Sequence, residues 1–530
     1  MIKILIADPL AEEGMKKITE SPGVSADVKV GLKEDELAEL VGQYDGMIIR
    51  SGVKITAKVL ANPGKLRVIA RAGVGVDNVD LAAATNAGIL VMNTPDANTI
   101  STAEQTMALM LALTRKVPAA DAHVRSGEWK RGQFTGQQLA GKTLGIVGFG
   151  RVGRAVATRA LAFDMNVIAY DPFYSGETAM DGKVTMVNRL DDLLPKCDYL
   201  TLHTVMNADT KEMINKNTIA KMKDGVRIVN CARGGLINEQ DLADALKSGK
   251  VAGAALDVYA NEPPVGSPLL TAPNTVLAPH LGASTEEAQL AVTTDAVDAL
   301  LDYLLRDQIR WAVNVAGLPS QLSPRDKAYL DLARRMGIVL SRLCSEGIAS
   351  VRVTTHGESL ASLARTIAKQ VTVDLLSPHF NSRLNLINVD ASAQSRGIKV
   401  EHTTDLAAAS DRVFVSVTTR EGDHEIVGEV AADGRPRIMG IDGYRMNLVP
   451  EGEMLLIFNN DQPGVIGLVG TVFGDHKINI ADMMLSRQKD TALMVLKLDT
   501  PIPADVLSVL ESRKPPLFQV LPVTLPPIGG

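Results

Sequence analysis

Thr143-Leu144-Gly145-Ile146-Val147-Gly148-Phe149-Gly150-Arg151-Val152-Gly153 is the stretch on which the reading of this chain turns. An apolar run ends in G-x-G-x-x-G, carried by Gly148, Gly150 and Gly153. Alone, three glycines say little, because glycine serves any tight turn. Here an alanine-rich segment, Arg154–Phe163, reads as a helix after them. A second strand, Asn166–Tyr170, then ends in Asp171, roughly 20 positions on, as a dinucleotide fingerprint requires. Gly148 allows the turn, Gly150 lets the backbone approach a pyrophosphate, and Gly153 lets helix and strand pack closely. The helix start offers free N–H groups and a positive dipole end to phosphates. Asp171 suits the ribose hydroxyls and repels a 2′-phosphate, which predicts NAD over NADP.

Working outward, the first hundred residues repeat a strand-then-helix rhythm. Lys3–Ala7 precedes the helix-like Ala11–Thr19, and Glu34–Val41 leads to the strand Gly46–Arg50. Leu66–Arg71 and Ile89–Met92 read as further strands. Such alternation implies a parallel sheet covered on both faces. Asn98–Arg115 reads as a helix apolar all round, hence buried. A second α/β region runs from about Gly141 to Ala291, and the helical stretch Thr285–Leu305 carries the chain back to the first. One α/β domain is therefore inserted in another. After Gly317-Leu318-Pro319 the composition changes to Arg/Ser/Thr-rich helix and strand. From Met454 the order strand, helix, strand, strand, helix, strand describes a small ferredoxin-like module.

A Rossmann sheet holds its ligands outside the carboxyl ends of its strands. The strand Tyr199–Leu202 ends in His203-Thr204, and Arg227–Asn230 ends in Cys231-Ala232-Arg233-Gly234-Gly235. Ala254–Val258, which contains Asp257, leads to Asn261-Glu262-Pro263, and Val276–Ala278 ends in Pro279-His280-Leu281-Gly282. Hydride exchange between a 2-hydroxy acid and NAD needs the three groups these ends deliver. Arg233 is placed to hold a carboxylate bidentately. His280 has the pKa to exchange the hydroxyl proton. Glu262 is placed to orient the imidazole and stabilise its protonated form. His203 reads as a packed or cofactor-wall residue, and Cys231 as a small wall residue. Arg50, followed by Ser51-Gly52, and Arg71, followed by Ala72-Gly73, close two strands of the first region. Two guanidinium groups with exposed N–H groups beside them predict a phosphate subsite.

Taken together, these motifs resemble those of the D-isomer-specific 2-hydroxyacid dehydrogenases. Two further stretches, Arg50-Ser51-Gly52-Val53-Lys54-Ile55-Thr56 and Arg71-Ala72-Gly73-Val74-Gly75-Val76-Asp77-Asn78, narrow the resemblance to a long-form branch acting on D-3-phosphoglycerate. The resemblance covers nearly the whole chain. It implies an α/β fold in which a Rossmann domain (98–291) is inserted in a flavodoxin-like substrate domain (1–97 and 292–316). An α+β intervening domain (317–449) and a ferredoxin-like ACT regulatory domain (450–530) follow. It implies oxidation of 3-phosphoglycerate to 3-phosphohydroxypyruvate, the first step of L-serine biosynthesis, with Arg233, Glu262 and His280 as catalytic residues. It places NAD contacts at Val74, Arg151, Val152, Asp171, Thr204, Cys231, Arg233, Asp257, His280, Gly282 and Ala283. Substrate contacts fall at Arg50, Ser51, Gly52, Arg71, Gly73, Arg233 and His280. L-serine is expected at the tail module, near Asn459, Asp461 and Asn479, and the assembly as a homotetramer.

A net charge of −6 and a pI near 5.9 give no basic surface for nucleic acid or an anionic membrane. Three widely spaced cysteines exclude a disulfide framework and a metal site, and fit a reducing, cytoplasmic setting. No stretch is a signal peptide or a bilayer span. Two other readings compete. A glyoxylate- or lactate-type dehydrogenase has no use for Arg50, Arg71 and the long tail. An NAD-sensing regulator has no use for the Arg233–Glu262–His280 set.

Overall fold

A computed structural model describes residues 1–315, 317–319, 321–344, 347–380 and 383–528. The expected boundary at Ala316 and the expected last residue, Gly530, lie outside the described residues. The first sheet contains β1 (Ile2–Ile6), β2 (Val24–Val28), β3 (Gly46–Ile49), β4 (Val68–Arg71) and β5 (Leu90–Met92). Its order is β2-β1-β3-β4-β5, all parallel. Ile4, Ile6, Ile48 and Val68 on one face are buried against Val292, Val297 and Leu300 of the helix Glu286–Arg306. That helix starts at a Thr285 side chain accepting the Ala288 N–H, with Glu286 and Glu287 in its first turn, where its dipole favours acids. The chain thus returns to the sheet on which it began.

The second sheet contains β6 (Thr143–Val147), β7 (Asn166–Tyr170), β8 (Thr178–Ala179), β9 (Val184–Val187), β10 (Tyr199–Leu202), β11 (Val226–Asn230), β12 (Val251–Leu256) and β13 (Thr275–Leu277). Its order is β13-β12-β11-β10-β6-β7-β9-β8, and only β8 runs antiparallel. The order reverses at β6, so the crevice beside β6 is the switch point where such sheets bind ligands. The helix after the glycines spans Arg151–Ala162 and begins three residues earlier than its alanine content suggests, because Gly150 is its N-cap. The helix Thr99–Thr114 connects the two sheets, and Ala103, Met107 and Met110 are buried with Leu144, Ile146 and Val229.

Beyond residue 317 a six-stranded sheet forms from β14 (Ser350–His356), β15 (Lys399–Asp405), β16 (Arg412–Thr418), β17 (Asp423–Val430), β18 (Pro436–Ile441) and β19 (Tyr444–Leu448). Helices Pro324–Leu343 and Ala364–Leu376 supply Leu332, Met336, Ile367 and Val371 to its core. The tail sheet, in order β21-β22-β20-β23, is made of β20 (Gly452–Asn460), β21 (Ile480–Gln488), β22 (Thr491–Leu498) and β23 (Leu517–Leu525). Helices Val465–Asp475 and Ala504–Glu511 cover one face, and Leu456, Leu493 and Val523 on the other join the core of the six-stranded unit. The sequence alone reads 459–464 as a turn and Asn479 as the beginning of the next strand, and both boundaries differ in the structure. β20 continues to Asn460 because its pairing with β22 runs on to Asn460↔Thr491, so Asn459 lies in a strand and not in a turn. β21 starts at Ile480, so Asn479 precedes it.

Asp374, on the Ala364–Leu376 helix, has its carboxyl pushed up to about 6 by burial, against a 2.6 Å hydrogen bond donated by Gln370. The folded chain therefore holds this proton more tightly than the unfolded chain. The stability so gained is complete below about pH 4 and is lost as pH rises through about 6. Asp374→Asn is expected to stabilise this unit by about 1–2 kcal/mol at pH 7.5 and by almost nothing at pH 4. Thermal unfolding of both proteins at the two pH values checks this.

Candidate active site

Gly148, at φ +92°, turns the chain in a conformation that a side chain resists, and an added Cβ there would lie 2.4 Å from the His203 carbonyl. Gly153 faces the Gly148 carbonyl, where a Cβ would sit at 2.2 Å. Around Gly150 a Cβ would meet nothing within 4 Å, so the first turn of the Arg151–Ala162 helix is open to a ligand. Asp171, at the end of β7, accepts the Phe149 N–H at 2.8 Å and the Phe173 N–H at 2.9 Å, one on each oxygen. It ties the glycine turn to the neighbouring strand and keeps lone pairs for a ribose. An open helix start beside a fixed carboxylate fits a dinucleotide. Arg151 is paired with Asp96 from the chain that crosses between the sheets.

Arg71, Val74, Val152, Thr204, Cys231, Arg233, His280, Gly282 and Ala283 line one cleft of ≈230 Å³. His280 Nδ1 lies 2.7 Å from Glu262 Oε2, and Glu262 Oε1 accepts the Tyr259 N–H at 3.1 Å. The carboxylate is thus fixed on one side and orients the imidazole with the other. Asn230, the last residue of β11, builds the loop bearing Arg233, donating to the Arg233 carbonyl at 2.9 Å and accepting the Ala232 N–H at 3.0 Å. Asp77, in the turn after β4, accepts from Arg233 Nε at 3.1 Å. Neither Asn230 nor Asp77 stood out as functional in the sequence, although both lie inside motifs quoted above.

Arg71 is half-buried in the cleft, its Nε makes no hydrogen bond, and burial pulls its guanidinium down to about 10, with Arg233 and Arg50 adding like-charge repulsion. It stays charged at neutral pH. Such a cluster of cations attracts an anion. Arg50 lies outside the cleft, its guanidinium paired with Gln289 and donating to the Pro9 carbonyl at 3.3 Å. Ser51 and Gly52 are exposed and do not line the cleft, while Gly73 is where the Arg71 guanidinium folds back. Asp257 is fully buried and does not line it either; its two oxygens accept the Leu281 and Gly282 N–H groups at 2.8 and 2.7 Å. His203 is half-buried in the cleft wall, its Nε2 is 3.0 Å from Thr201 Oγ1, and desolvation pulls its imidazole down to about 3. It is a neutral wall. Burial likewise pushes the Cys231 thiol up to about 12.

In the tail, Asn459 is 2% exposed, with its amide donating to the Ile457 carbonyl at 3.3 Å. Asp461 accepts from Arg487 Nε at 2.7 Å, and Asn479 donates to Asp499 at 2.7 Å. Among the described residues, no group of three or more His, Cys, Asp or Glu is arranged to hold a metal ion.

Residues 107–282 match the NAD-binding domain of the D-isomer specific 2-hydroxyacid dehydrogenases. A solved glyoxylate reductase from Paecilomyes thermophila is 34% identical, with a TM-score of 0.55, over 59% of this chain and 98% of that one. Fold and site define a 2-hydroxyacid dehydrogenase with an NAD-binding domain. Residues 325–442 match the D-3-phosphoglycerate dehydrogenase intervening domain, and 454–514 an ACT domain. The D-3-phosphoglycerate dehydrogenase of Methanocaldococcus jannaschii is 40% identical over 514 residues, 96% of this chain and 98% of that one. That of Bacillus subtilis is 36% identical over 532 residues, 99% and 100% of the two chains. The chain belongs to the D-3-phosphoglycerate dehydrogenase family.

The position of Asp171 makes cofactor choice testable. Asp171→Arg is expected to lower kcat/KM for NAD and shift the NAD/NADP ratio at least tenfold toward NADP. Steady-state rates with each cofactor check it, and an unchanged ratio removes Asp171 from the ribose.

Proposed function

We propose that the chain oxidises D-3-phosphoglycerate to 3-phosphohydroxypyruvate with NAD, the first step of L-serine formation. The 2.7 Å Glu262–His280 pair beside Arg233 carries this reading. Bound NAD supplies the nicotinamide carbon that accepts a hydride. The C2 hydrogen leaves the substrate as that hydride and the hydroxyl hydrogen as a proton, so the C–O bond becomes a carbonyl. His280 Nε2 takes the proton, since Nδ1 is committed to Glu262, whose charge stabilises the imidazolium. Arg233 holds the substrate carboxylate. Gly150, Arg151 and Val152 at the open helix start would hold the pyrophosphate, with Gly148 and Gly153 shaping the turn beneath it, and Asp171 would hold the ribose. Val74, Thr204, Cys231, Gly282 and Ala283 would form the remaining cofactor wall, with Asp257 buried behind it holding the Leu281 and Gly282 N–H groups.

Arg71, inside the cleft, holds the substrate phosphate, and the Arg50 charge outside it adds to the attraction; Ser51, Gly52 and Gly73 shape the two strand ends. Arg50→Ala or Arg71→Ala is expected to raise KM for 3-phosphoglycerate at least tenfold, with a much smaller change for a non-phosphorylated 2-hydroxy acid. Equal losses on both substrates would assign these arginines to the fold, and a wild-type preference for the non-phosphorylated acid would favour a glyoxylate-type enzyme.

The division at residues 97, 291, 316 and 449, a cytoplasmic setting and a homotetramer belong to the same reading; no described helix is long and apolar enough to cross a membrane. An ACT module in an enzyme of serine formation supports L-serine as a regulator, bound near Asn459, Asp461 and Asn479. Asp461 is already paired with Arg487 and Asn479 with Asp499, through one atom of each. Calorimetry on the full chain is expected to show serine binding that Asn479→Ala weakens, and sedimentation a four-chain mass. No heat and no inhibition at millimolar serine would leave the module structural.

A further inference from the structure

His280 sits at φ +58°, in the left-handed region that glycine favours. A side-chain-bearing residue stays there only when its surroundings over-determine the backbone. Those surroundings are the two residues that follow it. The Leu281 and Gly282 N–H groups go to the buried Asp257 carboxylate at 2.8 and 2.7 Å. The Gly282 carbonyl accepts two hydroxyls, from Ser101 Oγ at 2.8 Å and Thr102 Oγ1 at 3.0 Å. Ser101 and Thr102 are 8% and 7% exposed, adjacent on the first turns of the Thr99–Thr114 helix. One turn further along that helix, Gln105 Nε2 lies 3.4 Å from Asp257 Oδ1.

Donors and acceptors on this turn are therefore held from two elements remote in sequence, the end of β12 and the helix that brings the chain across from the first sheet. A helix hydroxyl ordinarily donates to its own helix four residues back, as Thr106 does to the Thr102 carbonyl at 2.9 Å. Ser101 and Thr102 both reach outward instead. Two donors on one buried carbonyl fix its direction more tightly than one, and the Gly282–Ala283 peptide, two residues past the imidazole, cannot rotate without leaving a buried polar group unpaired.

We infer that Ser101 and Thr102 are positioning residues for His280, acting through the Gly282 carbonyl to hold the left-handed turn that aims the imidazole at Glu262. Neither touches His280 itself. The inference rests on His280 as the proton acceptor, and the experiment separates the two.

The test compares Ser101→Ala/Thr102→Val, which removes both hydroxyls at nearly constant volume, with Thr102→Ser, which keeps them, and with His280→Ala. The double variant is expected to lose about 10–100-fold in kcat for 3-phosphoglycerate oxidation, within the range general acid–base catalysis supplies. Its NAD Kd, read by fluorescence titration of the whole enzyme, is expected to move less than about threefold, a small energy on the affinity scale. The acid limb of its pH–rate profile is expected to move to lower pH, because a misaligned Glu262 stabilises the imidazolium less. Thr102→Ser is expected to stay within about twofold of wild type. Wild-type kcat and pH profile in the double variant would overturn the inference while leaving His280 in its role if His280→Ala is inactive. Equal losses in Thr102→Ser and the double variant would also overturn it, assigning both residues to packing. An active His280→Ala would instead remove the proton-acceptor reading beneath it.

Discussion

Parallel pairing of the strands is the constraint on which the site depends. In the eight-stranded sheet every strand except β8 points the same way, so β6, β10, β11, β12 and β13 all end at one edge. In the first sheet β3 ends one residue before Arg50, and β4 ends in Arg71. Parallel strands require crossovers, and the crossovers free each strand end to start a loop of its own. Arg233, Glu262 and His280 come from three such loops; Arg233 and His280 line one cleft, and Glu262 reaches it through His280. The contacts that span the two units, Arg233–Asp77, Arg151–Asp96 and Arg50–Gln289, all lie along this edge.

The electrostatics of that edge are deliberately unbalanced. Burial and repulsion by Arg233 and Arg50 draw Arg71 down, while Asp77 and Asp8 partly offset them. A fold that keeps three guanidinium groups this near each other stores an affinity for anions, because an incoming phosphate or carboxylate relieves the repulsion. Asp8 contributes on the backbone side, accepting the Arg50 N–H at 2.6 Å, and so directs the strand end without neutralising the guanidinium.

The tail is less separable than a string of modules suggests. Leu456, Phe458, Leu493, Val495 and Val523 of the last sheet share one buried core with Leu332, Met336, Val415 and Ile438 of the unit before it. Arg335, 1% exposed on the Pro324–Leu343 helix, donates to the carbonyls of Pro450, Pro526 and Pro527, joining that helix to the linker and the far end of the tail. Cutting the chain near residue 449 would expose this core and take three carbonyl acceptors from the buried Arg335, leaving it Asp331 on its own helix at 2.8 Å. The unit before the tail in turn touches the first sheet through Asn385, which donates to the Gly88 carbonyl at 2.7 Å.

By itself the sequence determined the elements and their chemistry. The glycine turn, Asp171 and the strand-end runs bearing Arg233, Glu262 and His280 are local patterns, since a turn, a helix start and a buried strand are each fixed by neighbours in the chain. What it left open came from pairing between distant residues. The extension of β20 through Asn459 depends on β22 lying beside it. The clamp of Ser101 and Thr102 on Gly282 joins residues about 180 positions apart, and Asp77 meets Arg233 across 156. No period or spacing in one chain encodes such meetings. They are decided when two sheets pack and every buried donor and acceptor must find a partner, and that happens only in the folded molecule.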